Sequence, residues 1–305
     1  MVKSDWAGVL PAITTPFRGD GSVDEAFLGE HAAWMIGHGC TGIVALGSLG
    51  EGATLSFAEK LRSLEVLRDA IGRDGVLVAG ISGLSTDECV RLARAAAAAG
   101  CDGLMALPPY VYGGSWCETE AHFSALIEAT SLSCMIYNNP IAYGTDLGAR
   151  EVAALARYEN VHAVKESSGD VRRVTSLRAE LGDRLALFAG LDDMVVECAL
   201  LGADGWIAGL VNALPEESVR LFDLARDRRV EEAMELYAWF LPLLRFDTVP
   251  HFVQLIKLVQ AEVGKGSETV RPPRMPITGE ERETALAIVR DRLGSHASLM
   301  VSAQG

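Results

Sequence analysis

The chain has 305 residues, of which 49% are hydrophobic, and it carries a formal net charge of −14. This length allows one large domain with a sizeable core, and the negative charge argues against a nucleic-acid partner, since proteins that bind nucleic acids present basic patches. No apolar stretch is long enough to span a membrane and the N-terminus lacks a signal-peptide pattern, so we expect a cytoplasmic protein without a membrane partner.

Short apolar runs of strand length recur along the chain, separated by stretches of helical periodicity. The runs predict eight strands, in chain order within residues 8–17, 42–51, 75–83, 103–110, 132–140, 161–169, 185–193 and 205–212. Residues 87–100 are a typical intervening helix, and Gly100 is the residue type that favours a helix C-terminus. Because strands alternate with helices, we predict an α/β fold, a (β/α)8 TIM barrel. A doubly wound sheet is the alternative, but no G-x-G-x-x-G motif follows the first strand.

Beyond the predicted strands the pattern is helical. Residues 216–263 and 280–294 have the periodicity of helices, and residues 264–279 form a loop between them. We therefore predict a catalytic barrel domain at residues 1–215 and a C-terminal helical region at residues 216–305 that packs on it.

The cysteines and histidines indicate neither a disulfide framework nor a metal site. Six cysteines are scattered without a C-x-x-C pair, mostly in apolar runs, which is typical of reduced core cysteines. The six histidines show no H-x-x-x-H or H-E-x-x-H spacing, so we expect no metal.

A lysine at the end of an apolar run is the first candidate for catalysis. The chain has only five lysines, and Lys165 alone ends a strand-like run, at residues 161–169. Burying an ammonium is costly, and buried lysines are often nucleophiles. We expect Val161 and Ala163 to share its strand face, because side chains alternate along a strand. The alternative is that Lys165 starts a loop and pairs with Glu166.

Two further candidates, a turn and a tyrosine, lie at the C-terminal ends of strands 2 and 5. The active sites of (β/α)8 barrels lie at these strand ends. Strand 2 ends in the turn Gly47-Ser48-Leu49-Gly50, and strand 5 ends in Tyr137, which can approach Lys165 on the adjacent strand 6. A core tyrosine and a tight turn are the structural alternatives. Together these residues suit one chemistry: a desolvated lysine attacks a carbonyl to form a Schiff base, the Tyr137 phenol carries protons, and the turn holds a small carboxylate.

Four motifs resemble the dihydrodipicolinate synthase and N-acetylneuraminate lyase family of Schiff-base class I enzymes. They are GSLGEGATL (47–55), MIYNNP (135–140), VKESSGD (164–170) and FAGLDD (188–193), and the resemblance spans essentially the whole chain. It implies a barrel with C-terminal helices, usually a homotetramer, that needs no cofactor beyond the covalent lysine imine. By resemblance Lys165 forms the imine, Tyr137 shuttles protons and Ser48 binds the carboxylate of a 2-oxo acid. The candidate substrate-binding residues are Gly47, Leu49, Gly50, Tyr110, Asn139, Gly190 and Ile207.

Three departures from the family pattern bear on the substrate. Leu49 replaces a threonine of the turn, and Ala142 stands where synthases of this family carry the arginine that holds the aldehyde substrate's carboxylate. The stretch Tyr110-Val111-Tyr112 replaces a pair of tyrosines, the second of which reaches a neighbouring subunit. Acids such as Asp192 or Glu51 would repel a second substrate carboxylate if they faced the pocket.

The chain is most similar to the Δ1-pyrroline-4-hydroxy-2-carboxylate deaminases of hydroxyproline breakdown. The resemblance lies in Leu49 of the turn and in the stretches YNNPIAYG (137–144) and GWIAGLVNALPEE (205–217). This resemblance implies a cyclic imine as substrate, and 2-oxoglutarate semialdehyde and ammonia as products. The far end of that substrate bears no carboxylate, which fits Ala142. The alternatives are a dehydratase or aldolase of 2-keto-3-deoxy sugar acids, dihydrodipicolinate synthase itself, or a non-catalytic sensor of 2-oxo acids.

Overall fold

Eight parallel strands, one in each predicted run, form a single sheet. The computed structural model describes residues 1–302, of which 296–302 are described by backbone alone; residues 303–305, the end of the predicted helical region, lie outside the described residues. The strands are β1 (Gly8–Pro11), β2 (Gly42–Ala45), β3 (Val76–Ile81), β4 (Gly103–Ala106), β5 (Ser133–Asn138), β6 (Val161–Glu166), β7 (Ala186–Ala189) and β8 (Gly205–Ala208).

The sheet curls into a barrel. Its strand order runs from β1 through β8 and back down to β2, so that β1 and β2 meet at the last seam. That seam is held by a parallel bridge between Ala12 and Val44, where the Ile13 N–H donates to the Val44 carbonyl at 3.0 Å. The (β/α)8 prediction is confirmed.

Helices cover the outside of the barrel and continue beyond it. In chain order they are α1 (Glu25–Gly37), α2 (Phe57–Ile71), α3 (Thr86–Ala98), α4 (Trp116–Glu128), α5 (Pro140–Tyr143), α6 (Ala149–Leu155), α7 (Arg172–Leu181), α8 (Val195–Leu200), α9 (Pro215–Arg226), α10 (Val230–Leu244), α11 (Phe252–Glu262) and α12 (Gly279–Ser302). None of the described helices is both long and apolar enough to cross a membrane.

Local sequence signals set the ends of these helices. At the start of α2, the Ser56 hydroxyl accepts from the Glu59 N–H at 3.3 Å, and the Glu59 carboxylate accepts from the Ser56 N–H at 2.8 Å. This reciprocal pair satisfies two N–H groups that the first helical turn leaves free. The predicted helix at 87–100 is α3, and Gly100 follows it with a φ of +85°, a conformation that glycine adopts readily.

The barrel interior is filled from below by large apolar side chains. Trp6 lies across the N-terminal ends of the strands, donates from Nε1 to the Ser133 hydroxyl at 2.7 Å, and meets the Phe188 ring edge-on. Gly205 makes room for Phe188, since a Cβ at Gly205 would lie 2.3 Å from that ring. The closed base leaves only the opposite, C-terminal mouth for a ligand.

One detail of the predicted strand faces is wrong. Ala163 and Lys165 do lie on the interior face, but Val161 packs among the helices outside the barrel. The pairing of β5 with β6 shifts register between Cys134 and Met135, and this irregularity breaks the simple alternation at the start of β6.

A buried ion pair joins the C-terminal helices to the barrel mouth. Lys257 on α11 is only 2% exposed, and its ammonium contacts the Glu51 carboxylate at 2.6 Å and the Thr15 and Thr269 carbonyls at 2.9 and 2.7 Å. Glu51 belongs to the turn after β2. The pair therefore fixes the chain beyond residue 245 against the end of the barrel that carries the predicted site.

Candidate active site

A cavity of about 510 Å³ opens at the C-terminal ends of the strands. Its walls include eight of the ten predicted site residues: Gly47, Ser48, Leu49, Tyr137, Asn139, Lys165, Gly190 and Ile207. Gly50 and Tyr110 do not line it. Gly50 packs where a Cβ would lie 2.8 Å from the Ile13 carbonyl, and the Tyr110 ring lies behind Tyr143, with centroids 5.9 Å apart.

Lys165, near the C-terminal end of β6, lines the cavity and is buried, with 6% of its surface exposed. Its ammonium sits 4.3 Å from the centroid of the Tyr137 ring, which is the residue paired with it across β5 and β6. Glu166 points away and is not its partner: its carboxylate accepts from Asn138 Nδ2 at 3.0 Å and from the Ser168 N–H at 2.6 Å. The alternative interpretation of Lys165 as a loop residue paired with Glu166 is wrong.

The cavity changes the protonation of both residues. Burial lowers the pKa of Lys165 to about 8, although the Asp247 and Asp192 carboxylates favour its charged form. Burial raises the pKa of Tyr137 to about 12, opposed by a hydrogen bond in which Asn139 Nδ2 donates to its hydroxyl at 2.9 Å. An appreciable fraction of the lysine is thus a neutral amine near pH 7, while the phenol keeps its proton.

Gly190, which directly follows β7, leaves space for the Lys165 side chain. A Cβ at this position would lie 1.9 Å from the Ser167 hydroxyl and 2.9 Å from both Lys165 Cε and the Glu166 carbonyl. Side-chain ends can shift but the carbonyl cannot without moving the strand, so glycine is required here by close approach rather than by backbone conformation.

Gly190→Ala is therefore expected to displace the Lys165 side chain and slow imine trapping with pyruvate by at least about 100-fold, since small misplacements of reacting groups have effects of this size. Borohydride reduction followed by mass spectrometry measures the rate. The matched control is Gly19→Ala, where a Cβ meets nothing within 4 Å. Equal trapping rates in both variants would show that Gly190 has no such role.

A second tyrosine, Tyr143, which was not predicted from the sequence, also lines the cavity. Tyr143 at the end of α5 shares a hydrogen bond between its hydroxyl and that of Ser48, and its ring meets Tyr137 edge-on at 5.8 Å. Asn139 holds α5 in place, since its side chain accepts from the Ala142 N–H at 2.9 Å. The Asn-Pro start and the Gly144 end of this single turn are the sequence signals that could have revealed it.

The two acids that could have repelled a second carboxylate, Asp192 and Glu51, do not face the cavity. Asp192 is fully buried, and its carboxylate accepts from Trp206 Nε1 at 3.0 Å and from the Gly209 and Leu210 N–H groups at 3.0 and 2.7 Å. Glu51 is held by Lys257. Neither lines the cavity; the acid that does is Asp247, which lies in a short 3₁₀ turn at Arg245–Thr248, after α10.

Residues from the C-terminal region close the far side of the cavity. Thr248, Val249, Pro250 and Phe252 line it together with Asp247, and Arg274 reaches it from the loop before α12. Arg274 Nη1 lies 3.8 Å from Glu51 Oε2, whose carboxylate Lys257 already pairs, and the Arg274 side chain stays 30% exposed. The cavity therefore has an arginine in its wall, although Ala142 stands where the synthases of this family carry theirs.

Metal ligands do not converge in this region. Within residues 1–295, where side chains are described, no group of three or more histidines, cysteines or acids is placed to hold a metal ion. All six cysteines are free thiols, and only Cys117 among them is exposed.

Sequence and structure comparisons agree on the relatives of this chain. A model of the dihydrodipicolinate synthetase family matches residues 5–292. A 4-hydroxy-tetrahydrodipicolinate synthase of Methanothrix thermoacetophila is 31% identical, over 90% of this chain and 92% of the relative. Among solved structures, the chloride-inhibited dihydrodipicolinate synthase of Acinetobacter baumannii, in complex with pyruvate, is 29% identical with a TM-score of 0.88, covering 94% of this chain and 98% of that one. A Clostridium difficile protein in complex with mannosamine is 25% identical with a TM-score of 0.87, covering 94% and 99%.

Proposed function

This chain belongs to the dihydrodipicolinate synthetase family of class I Schiff-base lyases, and from that premise we propose that Lys165 forms the covalent imine. The observation that carries the proposal is a desolvated amine on the floor of a closed-bottomed cavity, with its pKa lowered to about 8. A neutral amine attacks the carbonyl or imine carbon, and the resulting iminium withdraws electrons from the adjacent carbon. The chemistry needs no cofactor beyond this lysine.

The substrate carboxylate, in this proposal, binds at the Ser48 turn. Ser48 and Tyr143 present two hydroxyls side by side on the cavity wall, and Gly47 and Leu49 flank them. Tyr143 thereby supplies a second hydroxyl although Leu49 lacks one. Tyr137, directly beneath the lysine ammonium, carries protons to and from the imine, with its hydroxyl oriented by Asn139.

We propose Δ1-pyrroline-4-hydroxy-2-carboxylate as the substrate. Lys165 bonds to C2, the ring C2–N bond breaks, and the ring nitrogen takes a proton to become a primary amine. Loss of a C3 proton then expels the 4-hydroxyl as water, and two proton shifts, from C5 to C3 and from the amine nitrogen to C4, convert the terminal amine into an imine. Two waters hydrolyse the terminal and lysine imines, which releases ammonia, 2-oxoglutarate semialdehyde and free enzyme. The support is Ala142 in the cavity wall, which holds no carboxylate, and Asp247, which favours the cationic amine that ring opening creates.

One observation favours a second candidate, the condensation of pyruvate with an aldehyde that bears a carboxylate, such as aspartate semialdehyde. Arg274 lines the cavity and could pair with that carboxylate, and the relatives reported above carry the synthase name. This candidate is disfavoured because the Arg274 guanidinium already pairs with the buried Glu51 carboxylate, at 3.8 Å. An unpaired buried carboxylate would cost several kcal/mol.

Two assays, ammonia release from the pyrroline and condensation of pyruvate with aspartate semialdehyde, distinguish the deaminase from the synthase. We expect ammonia release from the pyrroline, and condensation with aspartate semialdehyde slower by at least about 100-fold, which corresponds to roughly 3 kcal/mol. In the matched variant Arg274→Ala, ammonia release is expected to persist. Efficient condensation that disappears in Arg274→Ala, with no ammonia from the pyrroline in either protein, would replace the deaminase by the synthase.

The proposed oligomeric state and cellular location of the protein rest on its family membership. The barrel at residues 1–215 supplies the lysine, and the helical region at 216–305 supplies Asp247 and Arg274 to the same cavity. We propose a cytoplasmic homotetramer. The loop after β4 supports an interface there, since Tyr112 is 74% and Val111 47% exposed in the single chain.

A further inference from the structure

We propose that Asp247 is a second catalytic proton carrier of this site, which gives a proton to the group leaving the carbon bonded to Lys165 and takes it back when the imine is hydrolysed. The inference rests on the proposed imine chemistry of Lys165. It assigns a role in the reaction to a residue that lies beyond the barrel.

Close approach to the end of β8 holds the Asp247 carboxyl group in place. Gly209 follows β8, and a Cβ on it would lie 2.3 Å from Asp247 Oδ1 and 3.4 Å from Asp192 Oδ2. The Asp247 carboxyl group therefore packs directly on the backbone of Gly209, next to the Asp192 carboxylate and on the wall of the cavity that contains Lys165.

The neighbouring carboxyl groups of Asp192 and Asp247 differ in how readily they can take up and release a proton. Asp192 uses its carboxylate to accept from three N–H donors, so protonating it would forfeit those bonds. Asp247 faces the cavity, and burial and repulsion by Asp192 raise its pKa well above the usual range, opposed by the Lys165 ammonium. Two adjacent carboxyl groups that differ in this way divide the roles of fixed anion and proton carrier.

The charged and titratable groups around Asp247 come from several elements. They include Lys165 on β6, Tyr137 on β5, Asp192 and Asp193 after β7, and Tyr143 and Arg274 in the wall of the same cavity. Among them Tyr137 turns its ring face, not its hydroxyl, to the lysine ammonium. With a pKa of about 12, its phenol is a weak acid for expelling a leaving group near pH 7. A carboxyl group of raised pKa is better suited to that step.

The step balances without any other reactant. With a 2-oxo acid, the amine nitrogen bonds to C2 and one of its protons passes to the carbonyl oxygen; the C2–O bond then breaks as Asp247 gives that oxygen its second proton, so that water departs and leaves the iminium beside the Asp247 carboxylate. With a cyclic imine, the bond that breaks is C2 to the ring nitrogen, which receives that proton as it leaves. Asp247 regains a proton from the water that later hydrolyses the lysine imine.

The test is the rate of borohydride-trapped imine formation with pyruvate, followed from pH 6 to 9 in wild type and Asp247→Asn. We expect the rate constant to fall by about 100-fold, the lower end of the effect of a positioned acid, with full labelling of Lys165 at long times. Because Asp247 gives a proton in this step, the wild-type rate should decline again at high pH as that carboxyl group ionises, and this decline should be absent in Asp247→Asn. Asp247→Glu should recover part of the rate.

Asp193→Asn is the matched control, since it removes an adjacent acid that does not line the cavity, and its profile should be that of wild type. A wild-type rate constant in Asp247→Asn, or a rate loss shared equally by Asp193→Asn, would overturn the inference while leaving the imine mechanism intact. Labelling that persists in Lys165→Ala would instead refute the proposed function, whatever Asp247 does. Full labelling at long times shows that the variant is folded.

Discussion

Replacing Lys165 with alanine is expected to abolish turnover and imine trapping while the protein stays folded. The side chain is the proposed nucleophile, and no other lysine lines the cavity within residues 1–295, whose side chains the structure describes. Truncation removes a buried amine whose charged form is disfavoured by burial more than it is favoured by the Asp247 and Asp192 carboxylates, so we expect the fold to survive. Activity, borohydride labelling with pyruvate and a thermal unfolding curve measure the three outcomes.

The same lysine sets a pH dependence. Imine formation needs the neutral amine, so its rate should fall as the pH drops below about 8, the pKa of Lys165. Lys165→Arg should be as inactive as the alanine variant, because guanidinium does not deprotonate in proteins. Lys3→Ala, which removes a lysine far from the site, is the control and should label normally. Label found on another lysine in the Lys165→Ala protein would disprove the mechanism.

Tyr137→Phe should lower kcat by about 10²- to 10⁴-fold, the usual effect of losing a positioned proton carrier. The ring that lies under the Lys165 ammonium remains, so the packing of the cavity floor is preserved and only the hydroxyl is lost. Imine trapping should be slowed but not lost, because the nucleophile is intact. Steady-state kinetics and time-resolved trapping distinguish the two effects.

A matched control for this variant lies on the surface. Tyr158→Phe removes a hydroxyl that accepts a hydrogen bond from Arg157 at 3.3 Å, outside the cavity, and kcat should not change. Near-native kcat in Tyr137→Phe would remove that phenol from the mechanism and leave proton transfer to the other groups of the site, of which Asp247 is the proposed one.

The barrel and three of its site residues, Lys165, Tyr137 and Ser48, could be predicted from the sequence, because each depends on patterns among residues close together in the chain. Apolar runs alternate with helical stretches, and a chain of such units has few ways to bury both faces of its strands. Consecutive units place consecutive strands side by side, so Tyr137 and Lys165 were expected to converge, and the structure pairs them across β5 and β6. The strand ends also predicted the Ser48 turn at the same mouth.

Tertiary structure alone decided which further groups share that cavity. Tyr143 joins Ser48 from 95 residues away, and Glu51 and Lys257, 206 residues apart, fix the C-terminal helices over the mouth. Periodicity reports which face of an element is buried, but not where a loop beyond the barrel crosses it, since that depends on packing between distant elements. Hence Ala142 could be read from its motif, whereas Asp247 and Arg274, the charges that bear most on substrate choice, required the folded chain.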